Sequence, residues 1–517
     1  MKNQEKQIAR IWSKCVGAGR AAEGLRDGWR GQLKEAVRDC GFEYIRFHGL
    51  LHDDMCVYRV IDGKEVYNFQ YIDDVFDFLL SINIRPFVEF GFMPEDIAEG
   101  KKYQFWWKGN ITPPKDMAKW ETLIKNLMEH WIARYGRAEV GNWYFEVWNE
   151  PNLHNAFWSG GKAKYFELYR ATALAVKSFG DEFRVGGPAT SNFVPDERFD
   201  GDIEDTSKHM THQIEDLDSV SWKPVWMEEF LAFCEENDLP LDFVSCHPYP
   251  TDFALDGHGK SSGRSRGAHS TKTDIETLRK VIDATKYKGA PIHLTEWSSS
   301  PSSRDMSHDT SNEAAYIVMS NLECSGLAES LSYWTFSDVF EELGAGNKAF
   351  HGGFGMVNYQ GIKKPSYHAY EFLNRLGDVE IERGDGYIVT KDSESGKLVA
   401  LLYNYDEKAM DGALPISNTY EAAEELTARG EEKYVEFEME CRAGAKFSAE
   451  TCDTNSGNVM KAYKELGYPA EPNFGELRVL KNVSERLRTE VLSADGDGKI
   501  KLKRNLSPWA IELISEI

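Results

Sequence analysis

Two glutamates, each at the end of an apolar run, have the surroundings that acid–base chemistry requires. Glu150 lies near the centre of the segment WYFEVWNEPNLHNAFW (143–158). A carboxyl group among tryptophan and phenylalanine rings is partly desolvated, which raises its pKa and keeps it protonated near neutrality. Glu150 is therefore the candidate general acid. Glu146 is its rival, but we expect it deeper in the same strand and paired with an arginine or a lysine.

The second carboxylate is Glu296, in the segment PIHLTEWSSSP (291–301). Two carboxyl groups that flank one glycosidic bond can cleave it, because one protonates the leaving oxygen while the other attacks or activates water. A buried structural glutamate is the alternative for Glu296. On residue types alone, the choice between attack and water activation stays open.

Further candidates lie between and after these glutamates. His247 and Tyr249 alternate in CHPYP (246–250), so they share one face of a strand, where the tyrosine hydroxyl could hold a carboxylate ionised. Trp334 could stack on an apolar sugar face, and the pair Glu341 and Glu342 could accept hydrogen bonds from sugar hydroxyls. Ordinary core packing, or solvation for the paired acids, is the alternative for each.

Eight short apolar runs, alternating with helix-like stretches, are predicted to position these residues. Eight strands in β–α alternation indicate a (β/α)₈ TIM barrel over residues 11–360, although an open doubly wound sheet has the same alternation. A barrel carries its active site at the C-terminal ends of its strands, and strands four and seven can face each other across its mouth. The predicted strands are 11–17, 43–49, 85–92, 143–151, 184–189, 242–250, 291–297 and 330–338.

The pattern changes near residue 365. Strand-like runs without long helices between them predict a β-sandwich domain over 365–517, to which residues 1–10 could add a strand. Within the barrel, VYRVIDGKEVYNF (57–69) predicts a hairpin, and the acidic stretch 196–218 predicts an exposed insertion. The predicted C-terminal strands are 397–405, 434–443, 475–480, 499–503 and 509–517.

Composition excludes several classes of function. The chain has 60 basic and 84 acidic residues, a net charge of −24, and such a surface repels nucleic acids and anionic lipids. No apolar run is long enough for a transmembrane helix, and the N-terminus lacks the apolar region of a signal peptide. Eight dispersed cysteines without a Cys-x-x-Cys pair indicate reduced thiols and a cytoplasmic protein. The sequence leaves a homo-oligomer open.

No motif predicts a cofactor or a metal ion. The segment GAGRAA (17–22) fits a loose dinucleotide fingerprint, but nearby glycines interrupt the helix that it should open. The segment GRSRG (263–267) matches a nucleophile elbow without the strand that such an elbow requires. We therefore expect chemistry carried by side chains alone.

The chain resembles glycoside hydrolase family 39, whose members are barrel glycosidases with catalytic acids on strands four and seven. The resemblance covers nearly the whole chain. It is carried by CVGAGRA (15–21), GFEYIRFHGLLHDDM (41–55), WWKGNITPPKD (106–116), FEVWNEPNLHNAFW (145–158), HPYP (247–250), LTEW (294–297), YWTFSDVFEE (333–342) and FHGGFGMVN (350–358).

The resemblance implies roles for individual residues. Glu150 would be the acid/base, Glu296 the nucleophile, and Asn149 the group that binds the sugar 2-hydroxyl. The sugar subsite would be lined by His48, His247, Tyr249, Trp334, Glu341 and Glu342.

The resemblance also implies the activity, because the segments DVFEE (338–342) and HGGFG (351–355) resemble bacterial β-xylosidases. We expect a retaining exo-glycosidase that releases xylose from short xylo-oligosaccharides. α-L-Iduronidase and β-glucosidase are the alternatives on the same machinery, and a carbohydrate-binding barrel without catalysis is the alternative of another class. The insertion at about 196–225 is longer than expected for bacterial xylosidases, and it could change the leaving-group preference.

Overall fold

Eight parallel strands close into a barrel in the computed structural model, which describes residues 6–195, 214–252, 263–410 and 414–517. The strands pair in chain order, and the eighth closes the barrel on the first through Tyr333 and Val16. The predicted (β/α)₈ barrel is thereby confirmed. The barrel strands are Cys15–Arg20, Tyr44–His48, Arg85–Glu89, Tyr144–Glu146, Arg184–Ser191, Phe243–His247, Ile292–Trp297 and Ser330–Tyr333.

The strand predicted to begin at residue 11 begins later. Residues Ile11–Lys14 form a short helix with a buried apolar side, and the first strand starts at Cys15. Eight longer helices surround the barrel: Asp27–Cys40, Gln70–Ser81, Met117–Tyr135, Gly161–Lys177, Met227–Glu236, Ser270–Asp283, Ser311–Cys324 and Pro365–Asn374. Shorter helical segments are Ala21–Leu25, Asp53–Met55, Arg137–Val140, Leu217–Ser219 and Met306–Asp309.

The last of these longer helices begins at the position where the sequence predicts the second domain. Helix Pro365–Asn374 starts with a proline, which lacks the amide hydrogen that the first helical turn leaves unpaired. The helix packs between helix Ser311–Cys324 and helix Asp27–Cys40, both of which belong to the barrel. The barrel layer therefore continues past the predicted end at residue 360.

The barrel interior consists of two layers. The aromatic layer, at the N-terminal end of the strands, contains Tyr44, Phe87, Tyr144, Phe243 and His293, with ring centroids of neighbouring residues 4.7–5.4 Å apart. Side chains alternate along a strand, so the residue two positions further on also points inward. Three strands place Arg46, Glu89 and Glu146 there, and these residues form the charged layer together with Glu296 of the seventh strand, which also pairs with Arg46.

The C-terminal region forms two packed sheets. The larger sheet has seven strands, in the order Lys6–Gln7, Val379–Gly384, Tyr387–Lys391, Leu398–Tyr403, Ile511–Glu516, Lys446–Cys452 and Arg488–Ser493. Strands Lys433–Glu440 and Lys499–Leu506 form a separate antiparallel ribbon. One face of the large sheet packs on this ribbon through residues such as Ala400, Phe437 and Ile514.

The other face of the large sheet packs on the barrel. Val399, Leu401, Ile511 and Leu513 belong to the same apolar core as the barrel residues. Helix Ser311–Cys324 lies beneath this face, and 13 of its 14 residues are buried. A helix that is apolar on most sides requires such a cover, because an uncovered face would expose apolar surface to water.

One predicted C-terminal strand is wrong. Residues 475–480 lie in helix Phe474–Ser484. The side chain of Asn473 caps the N-terminus of this helix by accepting hydrogen bonds from the amides of Gly475 and Glu476. The Glu476 side chain accepts a bond from the Asn473 amide in return, which completes a capping box. The remaining helices of this region are Glu407–Met410, Tyr420–Thr427 and Met460–Glu465.

Short hairpins extend the barrel loops. The predicted hairpin consists of Tyr58–Ile61 and Lys64–Tyr67, with Asp62 and Gly63 both in the left-handed region, as a tight hairpin turn requires. Three further antiparallel pairs join Tyr103–Gln104 with Gly109–Asn110, Phe193–Pro195 with Trp222–Pro224, and Thr251–Asp252 with Arg264–Ser265. Most of the predicted acidic insertion, residues 196–213, lies outside the described residues. No helix in the described ranges is long and apolar enough to cross a membrane.

Candidate active site

The backbone after the fourth strand leaves the regular β conformation. The strand ends at Glu146, and both Trp148 (φ 72°) and Glu150 (φ 43°) are in the left-handed region. Strict alternation predicts that Glu146 and Asn149 lie on opposite faces. That prediction is wrong, because the left-handed residue between them redirects the chain and both side chains contact Arg46.

Arg46 connects the buried acids of the charged layer. Its Nε donates to Glu146 Oε2 at 2.6 Å, its Nη1 to Glu296 Oε1 at 2.8 Å, and its Nη2 to Asn149 Oδ1 at 2.8 Å. Nη2 also lies 3.0 Å from Glu89 Oε2. The guanidinium is completely buried, so it offsets the cost of burying three carboxylates. The sequence predicts an arginine or lysine partner for Glu146, but not that this partner also contacts Glu296.

Both oxygens of Glu296 accept bonds from donors. Arg46 Nη1 binds Oε1, and the Tyr249 hydroxyl donates to Oε2 at 3.1 Å. Burial, together with the charge of Glu296, raises the pKa of Tyr249 well above its usual range, so the hydroxyl keeps its proton. An arginine and a phenol thus donate to the two oxygens of one carboxylate and fix its orientation.

The environment of Glu150 favours the protonated form of its carboxyl group. Its Oε1 lies 2.9 Å from His247 Nδ1. Burial raises the pKa of Glu150 to about 7, although a hydrogen bond from Ser191 and the charges of His48 and Arg46 act to lower it. The same burial lowers the pKa of His247 to about 4, so this ring is neutral. The two glutamates therefore have different surroundings: Glu296 accepts from Arg46 and Tyr249, whereas burial dominates the pKa of Glu150.

The two carboxyl groups face each other at short range. Oxygens of Glu150 and Glu296 and a ring nitrogen of His247 all lie within 4.8 Å of one another. Each glutamate is only 5% exposed. The spacing could hold a metal ion, but these atoms already bond within the protein, to each other and to Arg46 and Tyr249.

His48 and Trp334 line the same region. His48 Nδ1 lies 2.7 Å from Glu89 Oε2, and its Nε2 lies 3.5 Å from Glu296 Oε1. The ring of Trp334 is 4.8 Å from that of His48 and is 1% exposed. Trp334 thus underlies the site, but its contacts are also those of a core residue, the alternative that the sequence leaves open.

The adjacent acids Glu341 and Glu342 have different surroundings. Both oxygens of Glu341 pair with arginines, Oε1 with Arg26 at 2.6 Å and Oε2 with Arg20 at 2.9 Å. Glu342 Oε1 lies 3.9 Å from His48 Nε2. Of the two acids, Glu342 is therefore the one beside the charged layer.

The pKa of Glu342 reflects that position. Burial raises this pKa well above its usual range, and the negative charges of Glu296 and Glu150 raise it further. Asn149 also faces this region, and its Nδ2 is buried without a hydrogen-bond partner. Asn149 and Glu342 thus bring hydrogen-bonding groups to the two central glutamates.

Comparisons with known proteins agree with this geometry. The family model for glycosyl hydrolases family 39 matches residues 1–501. A β-xylosidase from Caldicellulosiruptor saccharolyticus is 37% identical, over 94% of this chain and 90% of that protein. A β-xylosidase from Geobacillus stearothermophilus is also 37% identical, over 99% of this chain and 94% of that protein. Human α-L-iduronidase is 30% identical, but over only 31% of this chain and 23% of its own.

A solved structure extends the similarity to the fold. A monomeric β-xylosidase from Caulobacter crescentus superposes with a TM-score of 0.84 and 31% identity, covering 100% of this chain and 98% of that one. The barrel, the paired glutamates and a family model that spans nearly the whole sequence lead to the same assignment. The chain belongs to glycosyl hydrolases family 39.

Proposed function

We propose that this protein is a retaining exo-acting β-xylosidase that releases xylose from short xylo-oligosaccharides. The observation that carries the proposal is the pair Glu150 and Glu296, whose nearest oxygens lie within 4.8 Å. Retaining glycosidases hold their two carboxyl groups roughly 5–5.5 Å apart, whereas inverting enzymes leave roughly 6.5–9.5 Å for a water molecule. The short gap supports double displacement.

In the first step, an oxygen of Glu296 attacks the anomeric carbon of the sugar. Glu150 donates its proton to the glycosidic oxygen, so the bond from the anomeric carbon to that oxygen breaks and the leaving group departs neutral. In the second step, ionised Glu150 takes a proton from water, and the water oxygen displaces Glu296 from the anomeric carbon. Two inversions retain the anomeric configuration, and both glutamates return to their starting states.

The surroundings of the glutamates support a neutral pentose in the subsite. Asn149 Nδ2, buried and without a partner, is a donor for the sugar 2-hydroxyl. Glu342 and His48 would bind further hydroxyls, and His247, Tyr249 and Trp334 would complete the subsite. Two cations near the site that could neutralise a uronate are engaged by acids, Arg46 by the charged layer and Arg20 by Glu341. Glu341 acts one step away from the sugar, by holding the loop that carries Glu342.

Glycosides with different leaving groups test the role of Glu150. Glu150→Ala should slow the hydrolysis of xylobiose by about 10²–10⁴-fold, but activated aryl xylosides much less, because these leave without protonation. Azide should restore turnover of the aryl substrates and yield the β-xylosyl azide. Formation of the α-azide would assign the two glutamates the opposite roles.

A trapping experiment tests Glu296. An activated 2-fluoro xyloside should form a stable ester with Glu296, which peptide mass spectrometry would locate. Proton NMR of the reaction should show the β-anomer of xylose first. Early appearance of the α-anomer, with Glu296 unlabelled, would reject double displacement.

A panel of nitrophenyl glycosides tests the sugar. We expect β-D-xyloside to be cleaved with the highest kcat/KM, ahead of β-D-glucoside and α-L-iduronide. Preference for either of the latter would keep the mechanism and change the substrate. Tight sugar binding without any turnover would favour the non-catalytic barrel.

We also propose a cytoplasmic location. All eight cysteines are free, and six of them are buried, which fits a reducing compartment. A homo-oligomer is compatible with this proposal, and sedimentation of the full chain measures its mass in solution. Localisation of a tagged full chain by fractionation tests the compartment.

A further inference from the structure

A buried chain of hydrogen bonds connects Glu150 with Glu146 at the barrel centre. His247 Nδ1 lies 2.9 Å from Glu150 Oε1, and His247 Nε2 lies 3.0 Å from Thr295 Oγ1. Thr295 Oγ1 in turn donates to Glu146 Oε1 at 2.8 Å. His247, Thr295 and Glu146 are completely buried, so no water competes for these bonds. Thr295 directly precedes Glu296, and its side chain takes part in no other hydrogen bond described above.

The direction of these bonds follows from counting protons. Glu146 is salt-bridged to Arg46 through Oε2, so its Oε1 accepts the single proton of the Thr295 hydroxyl. The hydroxyl oxygen must then accept from His247, which places a hydrogen on Nε2. A neutral imidazole carries only one hydrogen, so Nδ1 presents a lone pair to Glu150. The remaining hydrogen of this contact belongs to the Glu150 carboxyl group.

We propose that Thr295 is a positioning residue that fixes His247 as its Nε2–H tautomer and thereby keeps the reacting proton on Glu150. The proposal rests on the proposed function for its consequence in catalysis. After Glu150 has protonated the leaving group, its carboxylate faces the lone pair of His247 and gains no hydrogen bond from it. The arrangement therefore also makes Glu150 a stronger base toward water in the second step. A donating histidine would do the reverse and stabilise the ionised acid.

Other charged groups also act on Glu150. They are Arg46 and His48 on the second strand, Glu89 on the third, Tyr249 after the sixth, Glu296 on the seventh and Glu342 after the eighth. A change at Thr295 leaves every one of these groups in place. Its effect on the Glu150 proton can therefore be separated from the background that they set.

The test compares Thr295→Val with Thr295→Ser. Valine has nearly the shape of threonine but neither donates nor accepts, so His247 can move its hydrogen to Nδ1 and donate to ionised Glu150. We expect the alkaline limb of kcat/KM for xylobiose to move down by about one pH unit or more. At pH values above this limb, the rate of xylobiose hydrolysis should fall by about tenfold relative to the parent. The rate on an activated aryl xyloside should change by less than about threefold. Thr295→Ser, which keeps the hydroxyl, should restore the parent profile.

Nitrogen NMR of the full chain labelled with ¹⁵N-histidine gives a second readout that needs no substrate. The parent protein and Thr295→Ser should show His247 protonated at Nε2, and Thr295→Val should show it protonated at Nδ1. If the valine variant does not fold, Thr295→Ala provides the same comparison.

An unchanged tautomer and an unmoved limb in a folded variant would overturn the proposal. Equal slowing of both substrates, with the alkaline limb unmoved, would show that Thr295 has only a structural role. That result would also overturn the proposal. Failure of the proposed function would look different. The parent would not cleave β-xylosides, while the NMR comparison would still decide the tautomer.

Discussion

The aromatic and charged layers of the barrel are built on the same strands but have opposite character. Tyr44 and Arg46 are only two residues apart, about 7 Å along the strand, as are Tyr144 and Glu146. The aromatic layer packs ring on ring, whereas the charged layer holds three carboxylates around one guanidinium. One strand can therefore seal the barrel at one end and supply its chemistry at the other.

The difference explains how the charged layer depends on the aromatic layer. The rings close the N-terminal end of the barrel, so the charges above them interact in a medium of low dielectric, where attraction and repulsion are both stronger. Burial without pairing would be costly, and Arg46 supplies the pairing. The aromatic layer has few polar groups that need partners, so it tolerates a change of charge elsewhere in the protein. The charged layer does not tolerate such a change.

The largest expected effect is that of Arg46→Met, which removes the charge and keeps the length of the side chain. Three buried carboxylates would lose their partner, so we expect the free energy of unfolding to fall by about 3–5 kcal/mol. Activity should be lost, because Glu296 no longer has the guanidinium that donates to its Oε1. Chemical denaturation and xyloside assays measure both effects.

Arg184→Met is the matched control, at the other end of the barrel. Arg184 lies over the ring of Tyr144, with its guanidinium carbon 3.7 Å from the ring centroid, and it is only partly buried. We expect a cost of about 1 kcal/mol or less and an unchanged kcat. Equal losses in both variants would show that position within the barrel does not matter.

Phe87→Ala tests the aromatic layer by itself. Removing a buried ring leaves a cavity, so the free energy of unfolding should fall by about 3–5 kcal/mol. The folded fraction should keep its pH profile, because Phe87 contacts the rings of Tyr144, Phe243 and His293. A shifted profile in the folded variant would show that the seal tunes the acids directly.

The pH dependence separates the layers in a third way. Because burial raises the pKa of Glu150 to about 7, kcat/KM should fall about tenfold per pH unit above about pH 7. The folded state binds this proton more tightly than the unfolded state, in which the pKa of a glutamate is near 4.5. The stability that Glu150 contributes is therefore present below pH 4.5 and lost as the pH rises toward 7. Glu150→Gln should remove that part of the stability profile in denaturant titrations.

Two buried histidines give the opposite sign, His293 in the aromatic layer and His247 beside the charged layer. Burial lowers the pKa of His247 to about 4 and that of His293 to about 3. Their contribution to stability is present above the unfolded value of about 6.5 and lost as the pH falls below it. His293→Phe should reduce the acid sensitivity of unfolding without moving the alkaline limb of activity. Movement of that limb would contradict the independence of the layers.

The smallest expected effect lies at the rim. Glu341→Gln keeps the shape of the side chain; its partner Arg26 is partly exposed, and its buried partner Arg20 retains Asp54, so we expect a stability change of about 1 kcal/mol and less than about a threefold change in KM. Glu342→Gln, beside the charged layer, should raise KM about tenfold or more. Similar KM values for the two variants would reject the distinction drawn between these neighbours.

The sequence predicts much of this architecture, because strands and helices alternate in a pattern set by local hydrophobicity. The barrel follows from that pattern. The same pattern predicts that Glu150 and Glu296 lie at strand ends. The surroundings of Arg46 could not be predicted in this way, since its partners come from the third, fourth and seventh strands. Such contacts depend on register between strands that are far apart in the chain.

Two local errors have local causes. Alternation fails beyond Glu146 because Trp148 has a left-handed backbone, and no residue type at that position signals it. The segment GELRVL looks strand-like, but the capping box of Asn473 and Glu476 stabilises a helix. A capping signal outweighs the short apolar pattern there.

The position of strand Ile511–Glu516 in the large sheet affects how the chain folds during its synthesis. This strand pairs with Leu398–Tyr403 on one side and with Lys446–Cys452 on the other, so it joins two halves of the sheet that do not otherwise touch through their strands. Until the ribosome has released residue 516, those halves cannot unite over helix Ser311–Cys324. The part of that helix that strand Ile511–Glu516 contacts stays uncovered although the barrel has already been made, so we expect a newly synthesised chain to be most prone to aggregate in that interval.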